Sequence, residues 1–345
     1  MKCSTVTVPP SSSSPFYVQA LQYTPEPEYS HDDGLTLLLF HAMNLHKETF
    51  HGLVTRVLED KAINSEGGAK IKDIWCIDNP NHGLSAFFNA NLLGSDEWKD
   101  KWGAMEYSRA AHALLSTTSH GVDFRKRNIV GVAHSAGATS LEHCPSSMLL
   151  ETLLPPSINI VSFLLLEPGL LPPQHHSSKS LPQLFAKMAL AKRNTWPTRE
   201  AAKKDLRGKT AYRAWDEEVF DLFVKYALKE VDSSGTVMLA CSPKQEAAHY
   251  RNPDIVIPPS EIFERLARED RVPIHLIEVR KDEYKGMSDE MKTYHIEIVS
   301  KMKTGSVQYI EKGGHLWPQC EPTLAAQIII SALAKIHIPA KHARL

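Results

Sequence analysis

Short apolar runs alternate with amphipathic stretches along most of the chain. Runs such as Leu35–Phe40 and Asn128–Ala133 are apolar on both faces, which is typical of strands in a parallel sheet that is buried on both sides. The pattern predicts strands at Phe16–Tyr23, Leu35–Phe40, Ile71–Asp78, Asn128–Ala133, Ile158–Leu166, Ile274–Val279 and Ser306–Glu311. It predicts helices near Glu48–Asp60, over 104–119, directly after Ser135 and near Leu324–Ala334. This alternation predicts an α/β fold with a mostly parallel central sheet flanked by helices.

One segment interrupts the alternation of strands and helices. Residues 171–265 contain a single short strand candidate, Thr236–Ala240, among amphipathic helical stretches. These stretches are Leu181–Arg193, Arg199–Lys209 and Trp215–Val231. We therefore predict an inserted helical cap over 171–265, between two core segments at 16–170 and 266–342. Residues 1–15 are rich in Ser and Pro and are predicted to form a flexible arm.

Composition narrows the class of protein. The 345 residues include 39 Lys and Arg against 40 Asp and Glu, a balance that argues against a nucleic-acid-binding protein. No apolar run approaches the ~18 residues of a membrane-spanning helix, and the first residues lack the apolar segment of a secretory signal. The five cysteines are scattered and odd in number, which favours free thiols in a reducing compartment. A homo-oligomer is compatible with this composition.

The strongest chemical signal is a serine at the end of a predicted strand. In Gly131-Val-Ala-His-Ser-Ala-Gly137, Ser135 has a small residue two positions away on each side, Ala133 and Gly137. This is the pattern of a nucleophile elbow, a tight strand-to-helix turn that admits only small side chains at those two positions. The following helix would direct the Ala136 N–H at a developing oxyanion. Because the turn follows a buried strand, a nucleophile is favoured over a purely structural turn.

A second oxyanion donor is expected in the loop after an earlier buried strand. The segment His41-Ala42-Met43 occupies that place, and we predict the Met43 N–H as the donor in preference to that of Ala42. We interpret His41 as a residue that fixes the loop. His41, His46 and His51 recur every five residues and share no helix face, so they do not predict a zinc site. No metal or cofactor is predicted.

The base is expected to be a histidine near the end of the chain if the order is serine, acid, histidine. Among the 17 histidines, His315 lies in a loop directly after a predicted strand and before the last helix. The paired glycines Gly313 and Gly314 allow the backbone to bring its imidazole close to the serine. His337 and His342 come later, in or beyond the last helix. We therefore predict His315 as the base.

Two residues compete for the role of the acid. Glu167 closes an apolar run at the end of the strand after Ser135, where an unpaired carboxylate is costly and a histidine N–H is a suitable partner. Asp282 follows the next strand, which is the more usual location, but charged neighbours give it the pattern of a solvated turn. We favour Glu167 and keep Asp282 as the alternative.

Several strings in the sequence carry a family resemblance. They are Asp78-Asn-Pro-Asn-His82-Gly83, Ala133-His-Ser-Ala-Gly137, Leu166-Glu167-Pro168, Trp196-Pro-Thr-Arg-Glu200 and Cys241-Ser-Pro243-Lys-Gln-Glu246. The chain resembles the α/β-hydrolase superfamily over nearly all of residues 16–340. More narrowly, it is similar to the peroxisomal α/β-hydrolases of fungal secondary metabolism, of the toxin-biosynthesis and mycophenolate acyl-CoA hydrolase type, with the yeast peroxisomal lipase as a relative. The resemblance implies an α/β-hydrolase fold and supports Glu167 as the acid, while Ala133 and Ala42 stand where glycine is usual.

The last three residues, Ala343-Arg344-Leu345, have the small, basic, leucine chemistry of the peroxisomal address Ser-Lys-Leu. The resemblance implies that this tripeptide is a working address that the peroxisomal import receptor binds. We therefore expect a peroxisomal location, and a cytoplasmic one if the tripeptide does not act.

These residues predict hydrolysis of an acyl ester or thioester. Ser135 would attack the carbonyl, His315 would take its proton, and Glu167 would orient the histidine, while the N–H groups of Ala136 and Met43 would hold the oxyanion. The resemblance indicates a small acyl compound, such as a coenzyme A thioester of peroxisomal secondary or lipid metabolism. Two rival functions stay open: an acyltransferase or cyclase on the same fold, and a non-catalytic binding protein that keeps the hydrolase shell.

Overall fold

The computed structural model describes residues 1–29, 31–63, 68–103, 105–140, 158–282 and 288–336. The strands, in chain order, are β1 (Lys2–Val8), β2 (Val18–Thr24), β3 (Leu35–Phe40), β4 (Ile71–Ile77), β5 (Asn128–His134), β6 (Asn159–Leu166), β7 (Thr195–Trp196), β8 (Leu228–Glu230), β9 (Val237–Leu239), β10 (Ile274–Asp282) and β11 (Ser306–Gly313). Eight of them form the central sheet, in the order β1-β2-β4-β3-β5-β6-β10-β11. Within this sheet β2 is antiparallel to both of its neighbours, and all the other pairs are parallel.

Helices lie between most of the strands. Their bounds are His51–Glu59, Gly83–Phe88, Ala90–Leu93, Glu106–Ser116, Ser177–Leu190, Arg199–Arg207, Thr210–Arg213, Glu217–Tyr226, Pro243–Arg251, Ile257–Glu269, Asp289–Val299, Trp317–Cys320 and Pro322–Leu333. Residues 136–140, directly after β5, are also helical. Short 3-10 turns occupy Pro27–Tyr29, Lys47–Phe50, Phe124–Lys126 and Pro253–Ile255.

The central sheet is buried on both faces. In β3, Leu38 and Phe40 belong to one hydrophobic core while Leu37 and Leu39 belong to the other, as alternation along a strand requires. The helix Glu106–Ser116 covers the first core, and the helices His51–Glu59 and Pro322–Leu333 cover the second. Each buried leucine contributes roughly 2 kcal/mol of transfer free energy. The predicted α/β fold, with a mostly parallel sheet between layers of helices, is confirmed.

The register of the parallel strands brings distant parts of the chain to one edge of the sheet. His134 at the end of β5 pairs with Leu166 at the end of β6, and Leu166 pairs with Ile277 of β10. At the far side of β10, Asp282 pairs with Gly313, the last residue of β11. Because the carboxyl ends of parallel strands lie at the same edge, the loops after β5, β6 and β11 meet there.

The segment between β6 and β10 contains helices and a small sheet of its own. The strands β7, β9 and β8 pair antiparallel in that order. Trp196, Trp215 and Phe223 form an aromatic core with neighbouring aliphatic residues. The same cluster includes Ala42 and Leu45, so this segment packs directly against the loop after β3.

Some sequence predictions about elements are wrong. Residues 1–15 are not simply a flexible arm, because Lys2–Val8 forms β1 and pairs with β2 along its whole length. The strand was missed because an edge strand needs few buried side chains, and Val8 alone of β1 is buried. The cap is not wholly helical, because it contains the strands β7, β8 and β9; the predicted strand Thr236–Ala240 contains β9, but β7 and β8 are too short to show alternation. The predicted boundary at 265 falls inside the helix Ile257–Glu269. The tripeptide Ala343-Arg344-Leu345 lies outside the described residues.

Candidate active site

Ser135 sits on a strained turn between β5 and the helix that follows. Its φ is +54°, in the left-handed region that non-glycine residues rarely adopt. The turn is tied to the end of β6, because the Ser135 N–H donates to the Leu166 carbonyl at 3.1 Å and Ser135 O accepts from the Gly169 N–H at 2.9 Å. A Cβ on Gly137 would lie 2.4 Å from the Phe40 carbonyl oxygen, so only glycine lets the helix pass this close to β3. This geometry presents the Ser135 hydroxyl at the carboxyl edge of the sheet.

The structure brings the predicted serine, histidine and glutamate together. Ser135 Oγ lies 2.7 Å from His315 Nε2, and His315 Nδ1 lies 3.1 Å from Glu167 Oε2. An ionised carboxylate only accepts hydrogen bonds, so the proton belongs on Nδ1 and Nε2 is free to accept from the serine hydroxyl. The Glu167 side chain is fully buried and that of His315 is 20% exposed. The arrangement can therefore remove a proton from Ser135 at a place that a substrate can reach.

Glu167 is held in the ionised state by its surroundings. Its φ is +44°, and its Oε1 accepts the Val279 N–H at 2.8 Å and lies 3.5 Å from Lys292 Nζ. Burial opposes ionisation, but the bonds to His315 and to the Val279 N–H, with the Lys292 ammonium, outweigh burial and lower the Glu167 pKa to about 2. Lys292 also donates to the Val279 carbonyl at 2.7 Å, which fixes its position. Glu167 is therefore charged at neutral pH.

Asp282, the alternative acid, is the last residue of β10. Its side chain lies outside the described part of the structure. The described partner of His315 Nδ1 is Glu167.

His134 holds the backbone of His315 in place through a hydrogen bond. Its Nε2 donates to the His315 carbonyl oxygen at 2.8 Å, and the two rings lie 5.2 Å apart. Burial, together with the neighbouring His315, lowers the pKa of His134 to about 3, so its ring is neutral. This role could not be predicted from the sequence, because a histidine beside the serine has the pattern of an ordinary turn residue.

The two residues that carry the predicted oxyanion donors border the same small cavity. Met43 and Ala136 both border a cavity of about 10 Å³, which is room for about one water-sized group. The loop that carries Met43 is fixed by His41, whose Nε2 accepts the Asn79 N–H at 3.0 Å and whose Nδ1 therefore donates to Ala42 O at 2.8 Å. Burial lowers the His41 pKa to about 3, consistent with this neutral tautomer. These contacts match the interpretation of His41 as a residue that fixes the loop.

Asn44, directly after Met43, links this loop to the cap. Its φ is +65°, and its backbone N–H donates to His82 Nε2 at 3.0 Å. Its side-chain Nδ2 donates to Glu246 Oε1 at 2.6 Å, and Lys192 Nζ lies at the same distance from that oxygen. The helix Pro243–Arg251 therefore holds the residue beside the candidate oxyanion donor. The string that ends at Glu246 was noted in the sequence, but its contact with Asn44 was not predicted.

A buried charge cluster anchors the end of the same loop. Lys47 and Asp78 are fully buried, and Lys47 Nζ lies 2.8 Å from both Asp78 Oδ2 and Glu48 Oε1. Burial opposes a charged lysine, but the two carboxylates outweigh it and raise the Lys47 pKa. The Lys47 N–H also donates to Asp78 Oδ1 at 2.8 Å. This pairing joins the loop after β3 to the segment after β4, and breaking it would leave a buried charge without a partner.

A larger cavity opens beside Ser135 and His315. Its volume is about 160 Å³, and its walls are mostly apolar. The apolar wall residues include Leu171, Pro182, Phe185, Ile255 and Met291. Such a cavity next to a candidate nucleophile is suited to the acyl part of a substrate.

Comparison with known proteins identifies the family. The model of the alpha/beta hydrolase family matches residues 37–325. The chain belongs to this family. It is 33% identical over 135 residues to the abhydrolase domain-containing protein ACTT2-1 of Alternaria alternata, a match that covers 37% of this chain and 46% of that protein. It is 31% identical over 136 residues to AKT2 of the same fungus, with the same coverage. The chain thus spans about half the length of the curated relatives it matches.

Solved structures share the fold of this alpha/beta hydrolase. The peroxisomal alpha-beta-hydrolase Lpx1 of Saccharomyces cerevisiae superposes with a TM-score of 0.72 at 15% identity, over 99% of this chain and 91% of that chain. The thioesterase domain from the curacin biosynthetic pathway superposes with a TM-score of 0.60 at 13% identity, over 96% and 99%. Within the described ranges, none of the helices has the length and apolar character to cross a membrane.

Proposed function

We propose that this protein is a serine hydrolase that cleaves an acyl ester or thioester. The observation that carries the proposal is the contact of 2.7 Å between Ser135 Oγ and His315 Nε2, with the Glu167 carboxylate on the other side of the ring. A serine on a strained turn, a histidine base and an ionised acid are the groups that acyl transfer through an acyl-enzyme requires.

In the proposed reaction His315 Nε2 takes the proton of Ser135 as its oxygen attacks the substrate carbonyl. The carbonyl oxygen becomes an oxyanion, which accepts hydrogen bonds from the Ala136 and Met43 N–H groups. His315 then gives the proton to the departing alcohol or thiol, which leaves an ester on Ser135. His315 takes a proton from water as the water attacks that ester, and it returns the proton to Ser135 Oγ as the acyl–oxygen bond breaks and the carboxylic acid leaves. Glu167 stabilises the imidazolium in both steps.

Hydrolysis is the proposed outcome, and acyl transfer or cyclisation is the alternative. Both pass through the same ester on Ser135 and differ only in whether water or a nucleophile of the substrate resolves it. The likeness to the thioesterase domain of the curacin pathway supports a thioester among the substrates. A protein that only binds its ligand would not need the strained Ser135 or the buried Glu167, which argues against the non-catalytic alternative.

The test is covalent labelling combined with product analysis. A fluorophosphonate should modify the folded chain at Ser135, read by peptide mass spectrometry, and hydrolysis of hexanoyl-coenzyme A and p-nitrophenyl hexanoate should fall in proportion to labelling. Heat-denatured protein is the control and should not be labelled. Equal amounts of free acid and free thiol or alcohol indicate hydrolysis. If the folded chain is not labelled, or if labelling leaves hydrolysis intact, the proposal is wrong.

The proposed location is the peroxisome. The sequence Ala343-Arg344-Leu345 and the shared fold with a peroxisomal hydrolase support this location, and with it a role in fungal peroxisomal secondary or lipid metabolism. A fluorescent protein fused to the N-terminus should be found in peroxisomes, and deletion of Leu345 should disperse it into the cytosol. A fusion with Lys341→Ala is the matched control and should stay peroxisomal. An unchanged distribution after the deletion of Leu345 would contradict the assignment.

A further inference from the structure

His249 occupies a central place that the proposed mechanism does not use. It lies in the helix Pro243–Arg251 and is 6% exposed. It borders both the small cavity between Met43 and Ala136 and the larger cavity beside Ser135. His249 therefore stands where the carbonyl of a bound acyl group would meet its first chain carbons.

The His249 ring has unused hydrogen-bonding capacity. Its Nδ1 is buried and has no hydrogen-bond partner among the residues that the structure describes. Burial lowers the His249 pKa to about 4, so the ring is neutral at pH 7 and offers one donor and one acceptor. A buried polar atom without a partner is destabilising, so a ligand that supplies the partner gains affinity from it.

The side chains that line the larger cavity are apolar, apart from those of Ser135, Thr139, His249, Tyr250 and His315. Leu171, Phe185 and Met291 offer no strong hydrogen-bonding group, and the volume of about 160 Å³ limits what can enter. A cavity of about 150 Å³ holds a molecule as large as benzene, which corresponds to about six carbon atoms. An unsubstituted chain would fill these walls but would leave the His249 ring without a partner.

We infer that His249 recognises an oxygen substituent next to the reacting carbonyl, so that the preferred substrate carries an acyl group of about six carbons with a hydroxyl on carbon 2 or carbon 3. The inference rests on the proposed hydrolase function and names its substrate class. A hydroxyl suits the neutral ring because it can donate to one tautomer and accept from the other. The position follows from the place of His249 between the two cavities.

The experiment compares three acyl groups: hexanoyl, 2-hydroxyhexanoyl and 3-hydroxyhexanoyl. Each is presented as a coenzyme A thioester and as a p-nitrophenyl ester, and kcat/KM is measured. The wild-type protein should prefer one hydroxylated group over hexanoyl by about tenfold or more. In His249→Phe this preference ratio should fall to about one, since phenylalanine keeps the ring volume and removes both nitrogens. His249→Gln, which keeps a donor and an acceptor, should retain part of the preference.

Phe185→Leu is the matched control, because it alters an apolar wall of the same cavity. It should change kcat/KM for all three acyl groups together and keep their ratio. A wild-type ratio near one, or an unchanged ratio in His249→Phe, overturns the inference. The wild-type ratio needs no variant, so the inference stays testable even if His249→Phe does not fold. Failure of the hydrolase proposal looks different: no acyl group is hydrolysed and the fluorophosphonate does not label Ser135.

Discussion

Ser135→Ala should lower kcat for any acyl substrate by about a millionfold, to the level that binding and the oxyanion donors alone provide. The reason is that the only oxygen within 2.7 Å of His315 Nε2 in the described structure is that of Ser135, so no other group can form the acyl-enzyme. The measurement is product release by excess purified variant over long incubation, with the fluorophosphonate label as a second readout. Both should be lost together.

The loss should not come from unfolding. Alanine can adopt the same positive φ as serine at about the same cost, and the backbone bonds of this turn do not involve the hydroxyl. Ser162→Ala is a matched control, since Ser162 is a buried serine earlier in β6 whose hydroxyl donates to the Pro273 carbonyl at 3.1 Å. It should stay active and lose about 1 kcal/mol of unfolding free energy. Full activity of Ser135→Ala, with the thermal unfolding midpoint preserved, would rule out Ser135 as the nucleophile.

The central sheet could be predicted from the sequence because its inner strands are apolar on both faces. Leu35–Phe40 and Asn128–Ala133 have the length and composition that are typical of buried strands, and strands that alternate with helices usually pair in parallel. β1 escaped prediction because it lies at the edge and most of its side chains face solvent. In the cap, the predicted strand Thr236–Ala240 contains β9, whereas β7 and β8 were missed because strands of two or three residues carry no periodicity.

Some residues of the candidate site could likewise be predicted from the sequence, and others could not. The structure brings together Ser135, Glu167 and His315, which the sequence picked out because each follows a strand and combines a chemical group with a local pattern. Lys292, Asn44 and His249 could not be found this way. Asn44 meets Glu246 across 202 residues of chain, and nothing in either neighbourhood indicates the other. Such contacts depend on how the cap is placed over the sheet.

Contacts between the cap and the loop after β3 link the cap to the proposed reaction. The helix Pro243–Arg251 carries both Glu246, which holds Asn44 beside the Met43 N–H, and His249, which borders the acyl cavity. One element therefore fixes the candidate oxyanion loop and shapes the binding space. A cap that moved away from the core would loosen the oxyanion donors and open the substrate cavity at the same time.

The second large effect is expected from a substitution of the proposed acid, Glu167. Glu167→Gln should lower kcat by about ten-thousandfold, because a neutral amide no longer stabilises the imidazolium and can hold His315 in the wrong tautomer. In the wild type the Glu167 pKa is lowered to about 2, so the carboxylate is ionised throughout the neutral range. The amide of Glu167→Gln carries no charge at any pH in this range, so kcat of the variant should stay low across the whole range. The measurement is kcat over a pH series for the purified variant.

Asp282→Asn is the matched comparison, because it makes the same change of carboxylate to amide at the alternative acid. A residue that takes no part in proton transfer should change kcat by less than about threefold. Glu167→Gln also removes the anion that lies 3.5 Å from Lys292 Nζ, so the variant is expected to lose stability as well as activity. Its thermal unfolding midpoint shows whether the protein is still folded under the conditions in which kcat is measured. A folded Glu167→Gln that keeps its turnover, beside an inactive Asp282→Asn, would transfer the role of the acid to Asp282. The reverse result, with the fold intact in both, would mean that the carboxylate hydrogen-bonded to His315 Nδ1 is also the one that catalysis requires.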